Sequence, residues 1–290
     1  MRLLRVGEAG KERPAVLIAD DDLEEDGEAL DVGDEVRDFD SVFFEEVGLA
    51  GLAKLVAEGR GRRISTETQR IGPPIARPGK LLCIGLNYAD HAAESGLELP
   101  TEPVLFGKAS NTVVGPTDDV LLPRGSQRSD WEIELGVVIG REARYLPDEA
   151  AAVSCIAGYT ISNDVSEREL QLERGGQWIK GKSCETFNPL GPWLVTADAV
   201  PNPLDLSMRL SVSGKVMQDS STRHMSFSPA YVVWYLSHFM VLEPGDLINT
   251  GTPAGVGAGQ HPPRYLREGD VMELEISGLG RQCSKVLPAP

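Results

Sequence analysis

Two glutamates interrupt an otherwise apolar stretch, SDWEIELGVVIG, at residues 129–140. Successive side chains of a strand alternate between its two faces, so Glu132 and Glu134 share one face, with α-carbons roughly 7 Å apart. If that face points into the protein, the two like charges raise its free energy unless one carboxyl binds a proton or a cation lies between them. The pattern therefore favours a bound divalent cation.

A third carboxylate follows at the end of the next long strand pattern, AGYTISND, where Asp164 lies thirty residues beyond Glu134. Three carboxylates with water completing the shell suit a hard cation such as Mg²⁺ or Mn²⁺ better than zinc, which prefers nitrogen and sulfur ligands. Each acid taken alone is also compatible with a surface or hydrogen-bonded residue. The trio together predicts a metal site.

Composition limits the classes of partner. The 290 residues carry 28 basic and 44 acidic side chains, a net charge of −16, which argues against nucleic acid or an anionic membrane surface as a partner. The N-terminus does not resemble a signal peptide, and no apolar run approaches the roughly 18 residues of a membrane span. The four cysteines contain no C-x-x-C pair and are interpreted as reduced thiols. We expect a cytoplasmic protein with a small-molecule substrate.

The chain divides by composition near residue 72. Residues 1–40 hold fourteen acids and five bases, an excess typical of a solvated face or a mobile loop. Residues 47–59 have helical spacing, and a linker rich in Pro and Gly leads from there to the strand pattern KLLCIG at residue 80. We predict a small acidic N-terminal domain with its linker at 1–72 and a catalytic domain at 73–290.

Short strand patterns alternate with turn signals through the rest of the chain. The connections are too short for repeated helical crossovers, which favours a β-rich, mixed or rolled sheet within an α+β fold. The strands are predicted at PVLFGK, DDVLL, WEIELGVVIG, CIAGYTISND, GPWLV, LSMRLSVSG, KVMQD, DLINTG and DVMELEIS. Three helices are predicted at NYADHAAESG, SERELQLER and SPAYVVWYLSHFMVL, the last capped by Ser228 with Pro229 at its first position.

One segment, GQWIKGKS at 176–183, matches the phosphate-binding pattern of nucleotide hydrolases. That loop needs a strand before it and a helix after it, so that backbone amides converge on phosphate. Here a charged helical pattern precedes it, and Pro189 and Pro192 follow it. Nucleotide binding is therefore disfavoured, as it is for GTPAGVGAG at 251–259, which also lacks a following helix.

Several of these segments, in the same order, resemble the fumarylacetoacetate hydrolase superfamily over about residues 75–280. They are IGLNYADHAAESG, EPVLFGKASNTVVGP, SDWEIELGVVIG, AGYTISNDVSEREL, GGQWIKGKS and NTGTPAGVG. The whole chain, including the RIGPP linker and the ERGGQW stretch, most resembles the 2,4-diketo-3-deoxy-L-fuconate hydrolase branch. The resemblance implies that the catalytic domain is the mixed β-roll of that superfamily.

The resemblance also implies a role for individual residues. The metal ligands would be Glu132, Glu134 and Asp164. The catalytic residues would be His91 and Glu94, a dyad on a short lid helix, and Lys182; the substrate-binding residues would be Gln171, Gly251 and Thr252, the last two holding a substrate carboxylate.

The implied reaction is a Mg²⁺- or Mn²⁺-dependent hydrolysis that breaks the C3–C4 bond of a 2,4-diketo acid and releases pyruvate, with no organic cofactor, in a homodimer. His91, kept basic by Glu94, would activate the attacking water, while Lys182 or Gln171 polarises the C4 oxygen. Oxaloacetate decarboxylation and isomerisation of a 2-hydroxy-diene-dioate remain alternatives for the same site. A structural cation-binding domain is the non-enzymatic alternative, and the dyad argues against it because a structural ion needs no adjacent base.

Overall fold

The computed structural model describes residues 1–18 and 27–290, so residues 19–26, which lie within the acid-rich first forty residues, are outside the described part. The strands are β1 (Arg2–Val6), β2 (Arg13–Ile18), β3 (Glu28–Asp31), β4 (Arg62–Ser65), β5 (Ile71–Gly72), β6 (Leu81–Gly85), β7 (Val104–Lys108), β8 (Val113–Val114), β9 (Val120–Leu122), β10 (Ser129–Asp130), β11 (Ile133–Ile139), β12 (Ile156–Asn163), β13 (Ser166–Glu167), β14 (Asn188–Pro189), β15 (Leu194–Thr196), β16 (Ser207–Val212), β17 (Lys215–Ser221), β18 (Leu247–Asn249), β19 (Val271–Ile276) and β20 (Gly280–Pro288). The α-helices are α1 (Gly48–Ala57), α2 (Ala89–Glu94), α3 (Glu149–Val153), α4 (Ile179–Lys182) and α5 (Pro229–Leu236).

Two sheets organise the molecule. An eleven-stranded sheet has the order β4-β3-β2-β1-β15-β12-β11-β18-β6-β7, with β5 beside β1, and a five-stranded sheet has the order β17-β16-β19-β20-β9. Most pairs are antiparallel, whereas β18 with β6 and β20 with β9 are parallel. This mixed, strand-rich arrangement confirms the predicted α+β fold class.

The N-terminal strands continue the large sheet. Strand β1 pairs with β15, with Leu3 opposite Leu194. A hydrophobic cluster extends across this junction and contains Leu3 and Phe39 together with Leu81 and Val138. The division at residue 72 stays a prediction.

The centre of the large sheet brings two of the predicted acids together. Strands β11 and β12 are antiparallel, with Ile133 opposite Asn163. Glu132 directly precedes β11 and Asp164 directly follows β12, so both lie at the same end of this strand pair. There the Asp164 amide donates to the Glu132 carbonyl at 2.9 Å. The register of one antiparallel pair therefore positions acids that are distant in sequence.

The helix predicted at residues 47–59 is confirmed as α1, and the helices predicted at NYADHAAESG and SPAYVVWYLSHFMVL are confirmed as α2 and α5. Ser228 caps α5 by accepting a hydrogen bond from the Tyr231 amide at 3.0 Å. The helix predicted over SERELQLER is wrong at its start. Ser166 and Glu167 form β13, which pairs with β10, and only Glu169–Glu173 forms a π-helical turn. Pairing with a distant strand overrides the local helical pattern here. Within the described residues, every helix is too short or too polar to cross a bilayer.

Candidate active site

Three buried carboxylates form the centre of the site. Oxygen atoms of Glu132, Glu134 and Asp164 all lie within 4.8 Å of one another. Their side chains are almost completely removed from solvent, at 5%, 2% and 0% exposure. The fold thus brings the three predicted acids into one cluster, and their oxygens offer the ligand type that Mg²⁺ and Mn²⁺ prefer.

Two buried lysines contact Asp164. The Lys182 Nζ atom donates to Glu132 Oε2 at 2.7 Å and to Asp164 Oδ2 at 2.8 Å. Lys108, at the end of β7, donates to Asp164 Oδ1 at 2.5 Å and to the Phe187 carbonyl at 2.6 Å. Asp164 is therefore fixed on both of its oxygens by buried cations.

An arginine completes the charged shell. Arg168 lies 2.7 Å from Glu132 Oε1 and donates to Asp130 Oδ2 at 2.8 Å and to Gln171 Oε1 at 3.0 Å. It orients Gln171, a predicted substrate-binding residue. Asp130 in turn accepts the Gly257 amide at 2.6 Å, which ties the arginine to the loop after β18.

The pKa values of the two neighbouring glutamates are shifted in opposite directions. Burial would raise the pKa of Glu132, but the charges of Lys182 and Arg168 outweigh it and lower this pKa to about 2. Burial, together with the charges of Asp164 and Glu132, raises the pKa of Glu134 well above its ordinary value. The cluster therefore lacks positive charge on the Glu134 side. A divalent cation would supply that charge, so the residues present fit the predicted metal.

The loop after β18 closes over Glu134. The Gly251 amide donates to Glu134 Oε2 at 2.6 Å. Gly251 has a φ of +99°, and a Cβ at this position would lie 2.7 Å from the Asn87 Cβ, so only glycine allows this approach. The Thr252 hydroxyl donates to the Ile133 carbonyl at 2.9 Å and accepts from Gln218 at 2.8 Å. Both residues lie at the site, and their role in holding a substrate carboxylate stays a prediction.

The predicted dyad lies on α2. His91 Nδ1 is 3.4 Å from Glu94 Oε2, as expected for residues three apart on one helix face. Both oxygens of Glu94 accept the Gly255 amide, at 3.0 and 3.1 Å. Gly259 packs directly against this carboxylate, where a Cβ would clash. The glycine-rich stretch at 251–259 thus anchors the dyad.

One cavity of about 270 Å³ connects these groups. Its lining includes most of the predicted site: His91, Glu94, Glu132, Glu134, Gln171, Lys182 and Thr252. Asp164 and Gly251 lie just outside the lining, where Asp164 contacts the lining residue Lys182 and Gly251 contacts the lining residue Glu134. Acids, a base and hydrogen-bond donors thus meet around a space large enough for a small organic acid.

Three residues of the site were missed by sequence reasoning: Lys108, Asp130 and Arg168. Lys108 ends the strand pattern PVLFGK, and Arg168 lies four residues after Asp164, so both occur in segments that carry the family resemblance. A lysine at the end of an apolar strand pattern is a signal that could have predicted a counter-ion for the predicted carboxylates. Lys182 lies in the last turn of α4, inside GQWIKGKS, and its contacts are with carboxylates.

Comparison with known proteins agrees with this geometry. Residues 80–287 match the family model described as fumarylacetoacetate (FAA) hydrolase C-terminal, and the chain belongs to this family. A Burkholderia multivorans protein named "Putative hydrolase" is 48% identical over 283 residues, which cover 97% of each chain.

Two solved structures show the range of chemistry among similar folds. The 2-hydroxyhepta-2,4-diene-1,7-dioate isomerase of Mycobacterium marinum is 32% identical, with a TM-score of 0.76 over 99% of this chain and 98% of that one. Maleylpyruvate hydrolase of Sphingobium sp. SYK-6, solved with manganese(II) and pyruvate, is 27% identical, with a TM-score of 0.80 over 100% of both chains. The family and these neighbours are enzymes that include hydrolases and isomerases.

Proposed function

We propose that this chain is a Mg²⁺- or Mn²⁺-dependent hydrolase that cleaves the C3–C4 bond of a 2,4-diketo acid into pyruvate and a second carboxylic acid. The observation that carries the proposal is the cavity lined by the His91–Glu94 pair together with Glu132 and Glu134, whose carboxylates cluster with that of Asp164 within 4.8 Å. The manganese and pyruvate in the similar maleylpyruvate hydrolase support this choice of metal and product.

Glu132, Glu134 and Asp164 would hold the cation. The chemistry that it supplies when bound is Lewis-acid stabilisation of the negative charge that develops on the 2-keto acid head as the C3–C4 bond breaks. The raised pKa of Glu134 indicates that this carboxylate, above all, needs added positive charge.

His91 acts as the general base. It takes a proton from water as the oxygen attacks C4, and Glu94, held by the Gly255 amide, orients its ring. Lys182 or Gln171 donates to the C4 oxygen. When the C3–C4 bond breaks, its electron pair remains with C3, and the proton held by His91 is delivered there. Water and diketo acid thereby become pyruvate and a carboxylic acid.

Isomerisation of a 2-hydroxy-diene-dioate is a second candidate, favoured by the likeness to the Mycobacterium marinum isomerase. It would use His91 to move a proton without attack by water. Decarboxylation of oxaloacetate is a third reaction open to a site that stabilises charge at C3. A structural cation site is disfavoured, because His91 and Glu94 line the same cavity as Glu132 and Glu134.

Product analysis distinguishes these reactions. The purified chain with Mg²⁺ is given acylpyruvates, fumarylpyruvate, oxaloacetate and 2,4-diketo-3-deoxy-L-fuconate; loss of the diketone enol absorbance is followed, and products are identified by mass. Pyruvate with a carboxylic acid supports the proposal. Carbon dioxide from oxaloacetate alone would replace it with decarboxylation, and an isomerised product without cleavage would replace it with isomerisation. A His91→Ala variant controls for metal-catalysed background.

Two further features of the protein are proposed with this function. The catalytic unit comprises residues 73–290, and the protein is a homodimer. Light scattering of the full chain measures the second directly, and a monomeric mass would contradict it. The fuconate substrate stays a prediction, which the same substrate panel tests.

A further inference from the structure

We infer that the outer part of the cavity selects an apolar acyl tail on the substrate and disfavours a tail that carries a carboxylate or several hydroxyls. This inference rests on the proposed function for the reacting head and concerns only the far end of the substrate. Residues Phe106, Trp178, Leu97 and Leu172, here called the tail wall, carry it.

The cavity wall changes from charged to aromatic over a short distance. The Lys182 Nζ atom, in the acid cluster, lies 5.1 Å from the centroid of the Phe106 ring. The Phe106 ring packs edge-on against Trp178, with 5.2 Å between ring centroids. Gly85 permits this position of Trp178, because a Cβ there would lie 2.7 Å from the indole ring. The part of a bound substrate that extends away from the acid cluster therefore meets two aromatic rings.

Apolar side chains continue to the mouth. Leu97 follows the lid helix α2 and is 52% exposed, while Leu172 lies in the π-helical turn and is 56% exposed. Val256 and Leu86 also line the cavity. Covering exposed leucines at the entrance to a polar site with an apolar group lowers the free energy, because it removes apolar surface from water. An acyl chain of a few carbons would provide this cover.

Each basic side chain that lines the cavity is already paired with a carboxylate of the protein. Among the described residues that line it, the basic side chains are His91, Arg168 and Lys182. His91 is paired with Glu94, and Lys182 with Glu132. Arg168 is paired with Asp130 and Glu132, and its Nη2 atom, which has no hydrogen-bond partner in the described part of the chain, is buried and inaccessible to solvent. A tail carboxylate would be removed from water without a counter-ion, which is strongly unfavourable.

Nearby basic residues outside the cavity are also engaged. Lys180 donates to the carbonyl of Arg174, and Arg174 pairs with Glu169 at 3.1 Å. Hydroxyl-bearing residues of the lining are Ser95 and Thr252, and the Thr252 hydroxyl is used within the protein. A polyhydroxylated tail would therefore find few partners at the tail wall.

Binding of simple 2-oxo acids tests the inference without turnover. Calorimetry with the Mg²⁺-loaded full chain measures Kd for pyruvate, 2-oxobutanoate, 2-oxopentanoate and 2-oxohexanoate, and for 2-oxoadipate, which matches the last in length but ends in a carboxylate. Affinity is expected to rise about fourfold for each added methylene, the equivalent of ~0.8 kcal/mol. A flat series, or 2-oxoadipate binding as tightly as 2-oxohexanoate, would overturn the inference.

Leu172→Arg tests the wall itself. The added cation at the mouth should strengthen binding of 2-oxoadipate relative to 2-oxohexanoate by at least tenfold, and Leu97→Arg provides an independent second variant. Leu204→Arg is the matched control, because Leu204 is an exposed leucine, at 38%, outside the cavity lining, and the ratio should stay unchanged. An unchanged ratio in both wall variants, with normal circular dichroism, would contradict the assignment.

The outcomes for tail and reaction are separable. If the apolar 2-oxo acids bind more tightly with length but no diketo acid is cleaved, the tail wall is supported and the hydrolase proposal fails. If diketo acids are cleaved with dioic or sugar-derived tails preferred, the hydrolase proposal stands and the tail wall is refuted.

Discussion

Loss of the Lys182 charge should destabilise the metal-free protein strongly. Lys182→Met keeps much of the side-chain stem but removes the ammonium group that contacts Glu132 at 2.7 Å and Asp164 at 2.8 Å, with only 2% of the lysine side chain exposed. Two buried carboxylates then lose a counter-ion. Removing one partner of a buried ion pair costs roughly 3–5 kcal/mol.

The expected change in melting temperature follows from the size of the chain. An unfolding entropy of about 2.1 cal/mol/K per residue amounts to about 0.6 kcal/mol/K over 290 residues, so Tm should fall by roughly 5–8 °C. Saturating Mg²⁺ should recover much of this loss, because a cation held by the three acids replaces the missing positive charge. The rise in Tm on adding Mg²⁺ should therefore be larger for the variant than for the wild type.

Scanning calorimetry in EDTA and in Mg²⁺ measures both effects. Lys180→Met is the matched control, since Lys180 is an exposed lysine two residues earlier that donates to a backbone carbonyl, and Tm should change by less than about 1 °C. A Lys182→Met protein that melts with the wild type in EDTA would refute the electrostatic account. A Mg²⁺ shift no larger than that of the wild type would refute the link to metal.

Three other predictions follow from the same structure. Exhaustive chelation should abolish turnover and Mg²⁺ or Mn²⁺ should restore it, while calorimetric metal affinity falls in Glu132→Gln and Asp164→Asn; full activity with zero metal content would contradict this. His91→Ala should lower kcat by roughly 10²–10⁴ with unchanged metal affinity, and Glu94→Gln should lower it less; a wild-type rate in the histidine variant would remove the assigned base. Burial raises the pKa of Asp31, but hydrogen bonds from two arginines and a backbone amide outweigh it, so this pKa is lowered. Its stabilisation is fully present above the unfolded pKa near 4 and is lost as pH falls through the lowered folded pKa. When the free energy of unfolding from urea denaturation is plotted against pH, Asp31→Asn should therefore show a shallower fall at acid pH than the wild type. An equally steep fall would count against the assignment.

Short-range patterns in the sequence predicted the chemical groups of the site. Alternation along a strand put Glu132 and Glu134 on one face, and spacing of three on a helix put His91 beside Glu94, as the 3.4 Å separation shows. These relations depend only on the local backbone geometry of one element. They hold in whatever tertiary context the element is placed.

The same local reasoning failed where a distant segment competed for the chain. SERELQLER has a helical pattern, yet Ser166 pairs with Asp130 in a short antiparallel ladder, and Arg168 is drawn to the Asp130 carboxylate. Asp130 lies more than thirty residues away in sequence from both Ser166 and Arg168. The free energy of those contacts exceeds the small helix preference of a few residues.

Residue types and their local spacing were enough to predict which side chains could bind a cation and supply a base. Three relations depend on the packed fold: the register of β11 and β12 places Asp164 beside Glu132, Lys108 and Arg168 supply opposing charge, and Leu97 and Leu172 meet at the cavity mouth. These contacts join segments separated by tens of residues. Their formation depends on how whole sheets pack, and local periodicity contains no information about the partner of each strand.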